Sequence, residues 1–514
     1  ALLRPEYLLA KKIAGAENVS GDFNPQVQDG YAKLFWAIHP KHSLEMMLYG
    51  SHDQLKYEPE IEDYTTSNSI HLGWDNSVAK LQWNYHPTLE TRLVTTAYSS
   101  KFTSIQEQRE FTIRGLSGGM GLGSEKHERA IRSQLFTRWR SIAINGGVDV
   151  RALSFKPAMQ KTYLNLYDAV VRQSDYRTAQ SSLFTEAEYQ DNRYKLKGGL
   201  RYTYYTDAAK HSSHHLDVRL QGSTFLTRNA GVEVTFDRLS QFQHSLEGLP
   251  VGWALDLMVP ASQQLPAELS HQYYAGGFWG NDTFYATLGG YYRHLSNMTT
   301  YKSLLNLFSV HNVSWEEDVA TGKGASYGLE LWLEKRKGRW TGSMAYTLSR
   351  TTRQFAEINR GLRFPFKFDR THNLNVQSQY LLQASERREQ RFHTGLYFSS
   401  GHNMTIPVAT YSAEDLPFWE TASSSSTHNH LYSFHANYRT QMSKVNEYRV
   451  ANYLRLDVGY SVLWKRRTWQ HELTFTLYNV LNRKNPYLVF HEEERWKQLS
   501  LLSIIPSIRW ELRF

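Results

Sequence analysis

Ile504-Ile505-Pro506-Ser507-Ile508-Arg509-Trp510-Glu511-Leu512-Arg513-Phe514 closes the sequence, and its alternation decides the fold class. Ile504, Pro506, Ile508, Trp510, Leu512 and Phe514 share one face, and Ser507, Arg509, Glu511 and Arg513 share the other. A period of two is a strand with one apolar and one wet side. Just upstream, Trp469, Leu473, Phe475 and Leu477 alternate with Gln470, Glu472, Thr474 and Thr476, with His471 alone interrupting the apolar face. Leu454, Leu456, Val458, Tyr460, Val462 and Trp464 alternate with Arg455, Asp457, Gly459 and Ser461, and the basic run Lys465 to Arg467 turns between these two strands.

The pattern recurs along the chain. Leu329, Leu331 and Leu333 oppose Glu330 and Glu334, then Trp340, Met344, Tyr346 and Leu348 oppose Thr341, Ser343 and Thr347. Leu216, Val218 and Leu220 oppose Asp217, Arg219 and Gln221, and tight turns are marked by Asp191-Asn192, Arg228-Asn229 and Asn281-Asp282. The pattern predicts strands over 31–39, 43–52, 69–85, 89–102, 129–140, 142–156, 180–190, 193–206, 214–226, 230–240, 270–279, 283–294, 325–335, 339–350, 372–382, 391–400, 451–464, 468–482 and 500–514. Short turns alternate with long connections at 10–30, 103–128, 157–179, 241–269, 295–324, 351–371 and 401–450. Short turns at one rim and long loops at the other are the layout of an outer-membrane barrel, whereas sandwiches and propellers lack this sidedness. The expected fold is all-β: a transmembrane antiparallel β-barrel of the outer-membrane type, forming one domain over 1–514.

Composition agrees. The 514 residues include 33 Tyr, 24 Phe and 14 Trp but no cysteine, which removes thiol chemistry. Mean hydropathy is -0.55, and no run approaches the roughly 18 apolar residues of a membrane helix. A low mean does not count against a barrel, because its strands average a lipid-facing side with a wet one. Arg455 and Asp457 would be costly in a dry core and are tolerable in a wet lumen. The net charge of +9 lies in short turns and singly along strands, without the compact basic helix of a nucleic-acid reader.

Several segments resemble the barrel of the TonB-dependent transporters, in particular the branch with a carboxypeptidase-like N-terminal domain. They are Gly328-Leu329-Glu330-Leu331, Tyr346-Thr347-Leu348-Ser349, Phe355 through Asn359-Arg360-Gly361, Phe364-Pro365, Asp369-Arg370-Thr371-His372-Asn373, Tyr453-Leu454-Arg455-Leu456-Asp457 and Tyr478-Asn479-Val480-Leu481-Asn482-Arg483-Lys484-Asn485-Pro486. Ser270 through Gly276 and Tyr291-Tyr292-Arg293 resemble the middle of those barrels, and the N-terminal half matches by layout. The resemblance implies 22 barrel strands, about 20 of them in this chain. The family's plug, its TonB-contacting segment and the first barrel strands are expected upstream of residue 1. It further implies bacterial outer-membrane location with a periplasmic C-terminus, uptake of a scarce large nutrient (iron chelate, haem, vitamin, peptide or glycan), and as partners outer-membrane lipid, a TonB-type energising protein and a surface lipoprotein.

No segment argues for an enzyme or a cofactor. His211, His214 and His215 are spaced loosely and read as loop residues, as do His393, His402, His428 and His430, so no metal site is assigned. Gly115 to Gly123 lacks the Gly-Lys-Ser/Thr ending of a phosphate loop and reads as a flexible connection. Glu316-Glu317-Asp318 and Glu492 to Glu494 are read as solvated acids, and Asp369 with His372 as structural. Ligand contact is expected in the long connections, where aromatics persist outside the strand pattern: Trp253, Trp315, Tyr411, Phe418 and Trp419. Two other functions share this scaffold, a passive or protein-conducting pore and a barrel that anchors a surface receptor complex.

Overall fold

The computed structural model describes residues 21–59, 67–112, 115–164, 167–172, 175–246, 257–302, 316, 319–412, 438–492, 495–500 and 502–514. The chain divides into two compact units, Ala1–Leu333 and Glu334–Phe514.

The first unit is an antiparallel meander. Its strands are β1 (Gly21–His39), β2 (His42–Pro59), β3 (Ser67–Tyr85), β4 (Arg92–Thr112), β5 (Gly115–Trp139), β6 (Ile142–Leu164), β7 (Tyr167–Arg172), β8 (Tyr176–Gln190), β9 (Tyr194–Thr206), β10 (Ser212–Phe225), β11 (Ala230–Gln241), β12 (Gln243–Leu246), β13 (Leu257–Pro260), β14 (Glu268–Gly280), β15 (Phe284–Tyr301) and β16 (Val319–Lys335), the last ending just past the unit boundary. Register is continuous from β1 through β6, then through β8 to β11, β14 and β15. Its short turns, at 40–41, 86–91, 140–141, 191–193, 226–229 and 281–283, all fall at one end of the meander.

One face of this sheet is apolar and exposed. Leu183, Leu196, Leu200, Leu288, Val148, Val150, Val232 and Val234 point outward. Near the short turns they are bordered by Trp83, Trp139, Tyr189, Tyr194, Trp279 and Phe284, where Trp83 also stacks on His42 with ring centroids 5.7 Å apart. At the other border stand Tyr202, Tyr204, Tyr273 and Tyr292. The two aromatic girdles stand six residues apart on β14, eight on β15 and eight to ten on β9, near the roughly 9–11 residues with which a tilted strand crosses hydrocarbon.

The strands run on well beyond the upper girdle. β4, β5 and β6 have 21, 25 and 23 residues. At roughly 3.3 Å per residue each is about twice what a bilayer needs. Much of 103–128 and 157–179, expected as connections, is therefore paired strand: Ile105↔Gly123, Glu107↔Gly121 and Arg109↔Gly119 continue the ladder. The glycine-rich stretch 115–123 is strand and not a flexible loop. Glycines leave the pleat intact, and backbone pairing there does not depend on side-chain alternation.

The second unit contains β17 (Trp340–Phe355), β18 (Phe364–Pro365), β19 (His372–Ala384), β20 (Arg388–Ser399), β21 (Asn403–Met404), β22 (Pro407–Ser412), β23 (Tyr438–Met442), β24 (Tyr448–Arg449), β25 (Tyr453–Lys465), β26 (Gln470–Tyr478), β27 (Leu488–Glu492), β28 (Arg495–Leu499) and β29 (Ile505–Arg513). Its ladder is β17, β19, β20, β25, β26, β29, all antiparallel. Ile508, Trp510 and Leu512 of the closing strand are exposed on the apolar face.

The asparagine-rich segment 478–486 locks the exit of β26. Asn479 is fully buried and left-handed at φ 52°; its backbone N–H donates to Asp457 Oδ1 at 2.9 Å, and its Nδ2 donates to the Arg483 carbonyl at 3.1 Å. Asn485 closes a two-way pair with the Leu454 backbone, accepting its N–H and donating to its carbonyl, both at 2.9 Å. Asn485→Ala should leave both Leu454 groups unpaired and cost about 1–2 kcal/mol; an unchanged urea midpoint in lipid vesicles would contradict this.

Candidate functional site

In the first unit the connection between β11 and β14 folds back as a strap. β12 and β13 pair as a short hairpin, and β13 lies against β6 and β5, with β8, β9 and β10 between them in the ladder. The strap crosses the polar face of the sheet. On β9, Tyr205 points opposite to the exposed Tyr202 and Tyr204; its hydroxyl donates to the Ala261 carbonyl at 2.7 Å, and its ring stacks on Phe242 at 4.8 Å. His215 meets the same Phe242 edge-on at 4.8 Å.

Leu246, Leu257, Val259, Leu265, Tyr301 and Val319 form the strap's own apolar core. Burying such a side chain is worth about 1.5–3 kcal/mol, enough to hold a connection in one place. His244 is fully buried beside it: its Nε2 donates to the Leu265 carbonyl at 3.3 Å, and its Nδ1 lies 3.0 Å from Glu268 Oε1.

The polar face of the same unit carries a charge network drawn from five strands. Asp149 on β6 is 1% exposed and accepts from Arg151 Nη2 at 2.8 Å and Arg201 Nη2 at 3.0 Å. Glu128 on β5 accepts the Tyr98 hydroxyl at 2.6 Å and pairs with Lys126 at 3.1 Å and, more loosely, Arg151 at 3.5 Å. The guanidiniums of Arg132 and Arg201 both stand over the Phe184 ring, at 4.9 and 5.5 Å. Lys126, Arg132, Arg151 and Arg201 thus stand among Glu128, Asp149 and Asp217, the last directly opposite Arg201 in the ladder, and among the described residues no carboxylate pairs with Arg132.

In the second unit the segments that carried the family resemblance build a folded cap. Asn359, Arg360 and Gly361 are successive left-handed residues, at φ 51°, 57° and 74°, a run that asparagine and glycine tolerate best. Asn359 pairs both ways with the Val445 backbone, at 3.1 and 2.9 Å. Asp369 is buried, accepting the Thr351 N–H at 2.6 Å and Arg449 Nη2 at 2.9 Å, while Asn403 Nδ2 donates to the Phe366 and Asp369 carbonyls. Arg353 lies 3.6 Å from the Phe366 ring centroid. Asp369 is an anchor, and the Tyr346 hydroxyl hydrogen-bonds His372 Nδ1 at 2.8 Å.

His402, in the connection after β20, has a pKa held below the ordinary histidine value, first by burial and then by the Arg370 guanidinium. Its folded pKa is depressed, so its stability contribution is fully present above the unfolded value near 6.5 and is lost as pH falls through the folded value. Amide protection factors across 400–406, corrected for the intrinsic pH dependence of exchange, should fall on acidification below about pH 6.5, and His402→Gln should flatten that dependence.

Of the aromatics expected to touch ligand, Trp253, Trp315, Phe418 and Trp419 lie outside the described residues. Tyr411 lies in β22 opposite Arg439. His214 and His215 sit in β10 and not in a loop, and His214 Nδ1 bonds the Tyr202 hydroxyl at 2.5 Å. His393 sits in β20, bonded to Ser461 Oγ at 2.8 Å; His428 and His430 lie outside the described residues. Among the described residues, no three His, Cys, Asp or Glu side chains come together as a metal site. Sequence reading missed the strap, Tyr205, His244 and the Asp149 network. The available signal was the strictly alternating polar set Asn145, Asp149, Arg151 on β6.

No family model matches the sequence, and a search of curated proteins also returns no match. Solved structures do match. The ferric yersiniabactin uptake receptor of Yersinia pestis aligns over 96% of this chain and 74% of its own at TM-score 0.60 and 11% identity. A ferric citrate transporter aligns over 95% and 70% at TM-score 0.63 and 11% identity. The FrpB iron transporter of Neisseria meningitidis aligns over 95% and 72% at TM-score 0.58 and 12% identity. The chain has the fold of the TonB-dependent outer-membrane receptors, an antiparallel β-barrel of the outer-membrane type. The exposed apolar face between the two girdles is the surface such a barrel turns to lipid.

Proposed function

We propose that this chain is the barrel of an energised outer-membrane uptake receptor, and that its cargo is a scarce, large, anionic nutrient of the iron-chelate kind. The observation that carries the reading is the strap laid across a densely charged polar face: it narrows the path, while Arg132, whose Nε has no hydrogen-bond partner, offers a cation beneath it to an anion. Solved structures of this fold are named for ferric yersiniabactin, ferric citrate, iron and copper, which supports the same class. Trp253, Trp315, Tyr411, Phe418 and Trp419 are assigned to first capture of cargo, or of a surface lipoprotein, at the rim of long connections.

The test uses the full-length gene product in its native cells. Cargo accumulation should require both the chain and a proton-motive force, and deletion of 405–430 should abolish capture while leaving the barrel assembled. Accumulation that survives de-energisation would assign a passive pore. Capture without accumulation would assign an anchored receptor.

Orientation is tested separately, since a chain without cysteine accepts a single reporter thiol. Cysteine at Ser424 should react with an impermeant maleimide on intact cells and cysteine at Thr468 should not. The reverse result would place the long connections in the periplasm.

A further inference from the structure

The short turns of the second unit are more basic than those of the first. In the first unit, 40–41, 86–91, 140–141, 191–193, 226–229 and 281–283 hold at most one lysine or arginine each. In the second, 335–339 carries Lys335, Arg336, Lys337 and Arg339, 385–388 carries Arg387 and Arg388, and 465–468 carries Lys465, Arg466 and Arg467. Glu386 is the one carboxylate inside these three turns. The flanking Glu334 and Glu389 are already engaged, the first with Arg336 at 2.9 Å and the second with Lys465 and Arg391. Arg339, Arg387, Arg466 and Arg467 are exposed, and among the described residues their side chains have no partner.

Strand pairing fixes the depth of this rim. One row across the ladder reads Trp340, Tyr380, Phe392, Tyr460 and Phe475, each of them exposed on the outward face. An unbroken row of aromatics is a girdle, the level at which hydrocarbon gives way to headgroups. The basic turns stand just beyond it. Arg388 pairs with Trp464, four residues past Phe392 and Tyr460 and so on the same outward face, and its guanidinium lies 5.9 Å from the Trp464 ring centroid. Lys335 likewise lies over the Trp340 ring, at 5.4 Å. The Lys465 N–H donates to the Arg387 carbonyl at 2.8 Å, so 385–388 and 465–468 stand side by side.

We infer that the paired turns 385–388 and 465–468 form a selective site for an anionic phospholipid with two phosphates, of the diphosphatidylglycerol type, in the leaflet at the short-turn rim. Arginine grips a phosphate with two parallel N–H donors, and each turn supplies two arginines. Neighbouring hairpins lie about 10 Å apart, two strand spacings, which the long arginine side chains can close around two phosphates joined by one glycerol. A zwitterionic ethanolamine lipid carries its own cation and gains little from a rim of net positive charge. The first unit, with single cations in its turns, has no equivalent pair. The site rests on the barrel fold and is independent of the uptake reading.

The experiment uses the full-length protein in phosphatidylethanolamine nanodiscs doped with diphosphatidylglycerol, and native mass spectrometry counts the lipid retained on the released protein. Diphosphatidylglycerol should be retained about tenfold over phosphatidylethanolamine, the effect of a few partly screened cations. Arg388→Gln combined with Arg467→Gln should remove most of that preference. Arg387→Gln combined with Arg466→Gln, both at exposed turn positions, is an independent pair should the first fail to assemble. Arg193→Gln combined with Arg228→Gln, in turns of the first unit, should leave retention as it was. Equal retention of the two lipids, retention unchanged in a folded rim variant, or an equal loss in the first-unit variant would overturn the assignment. So would rim variants that keep the lipid but lose soluble muropeptides, a result that would give the rim to a cell-wall partner.

Discussion

Leu288→Arg should lower unfolding stability in phospholipid vesicles by about 2–4 kcal/mol, the cost of a cation near the bilayer midplane on a barrel's outer face. In a water-soluble protein the same change would be nearly neutral, because Leu288 is 57% exposed. The difference lies in the medium: on β15 the residue sits midway between Phe284 of the lower girdle and Tyr292 of the upper one, on the face turned to hydrocarbon. Leu89 provides the control. It is fully exposed in the turn at 86–91, and Leu89→Arg should stay within about 0.5 kcal/mol. Denaturant midpoints measured for both in the same vesicles decide the matter, and equal, small shifts would remove the lipid-facing assignment.

Asp149→Ala should be comparably damaging for the opposite reason. Its carboxylate is 1% exposed and neutralises Arg151 and Arg201, whose side chains are 32% and 29% exposed. Stripping one partner from a buried pair costs about 3–5 kcal/mol, and the partial hydration of both guanidiniums reduces that to about 2–3. Asp149→Asn keeps the shape and loses the charge, so it should recover part of the loss. Because the arginines come from β6 and β9, a cycle with Arg201→Gln should show strong coupling. Additive effects would mean the network contributes little.

Strand positions were legible because each is a local property. The sequence places a strand over 193–206 from alternation alone, and β9 is Tyr194–Thr206; β10, β14 and β19 agree to within two residues at each end. The reading failed where the strands leave the membrane. Beyond the upper girdle both faces are wet, so hydropathy no longer alternates, while backbone pairing continues to Phe111↔Leu116. The stretch 115–123 therefore looked like loop and is strand.

The site was less legible for a related reason. Alternation tells which side chains share a face, but not which meet across it. Asp149 and Arg201 are 52 positions apart and Asp369 and Arg449 are 80 apart, and only the register of the intervening strands and the folding of the connections bring them together. Likewise, 241–269 was legible as a long connection, but its return across β8 to β10 depends on Tyr205 and His215 meeting Phe242. The sequence by itself determined the all-β class, the lipid-facing positions and the short-turn rim, since period-two hydropathy and turn chemistry act within a few residues. Tertiary structure alone decided the strand extensions, the strap and the buried ion network, since each depends on which strands the ladder sets side by side.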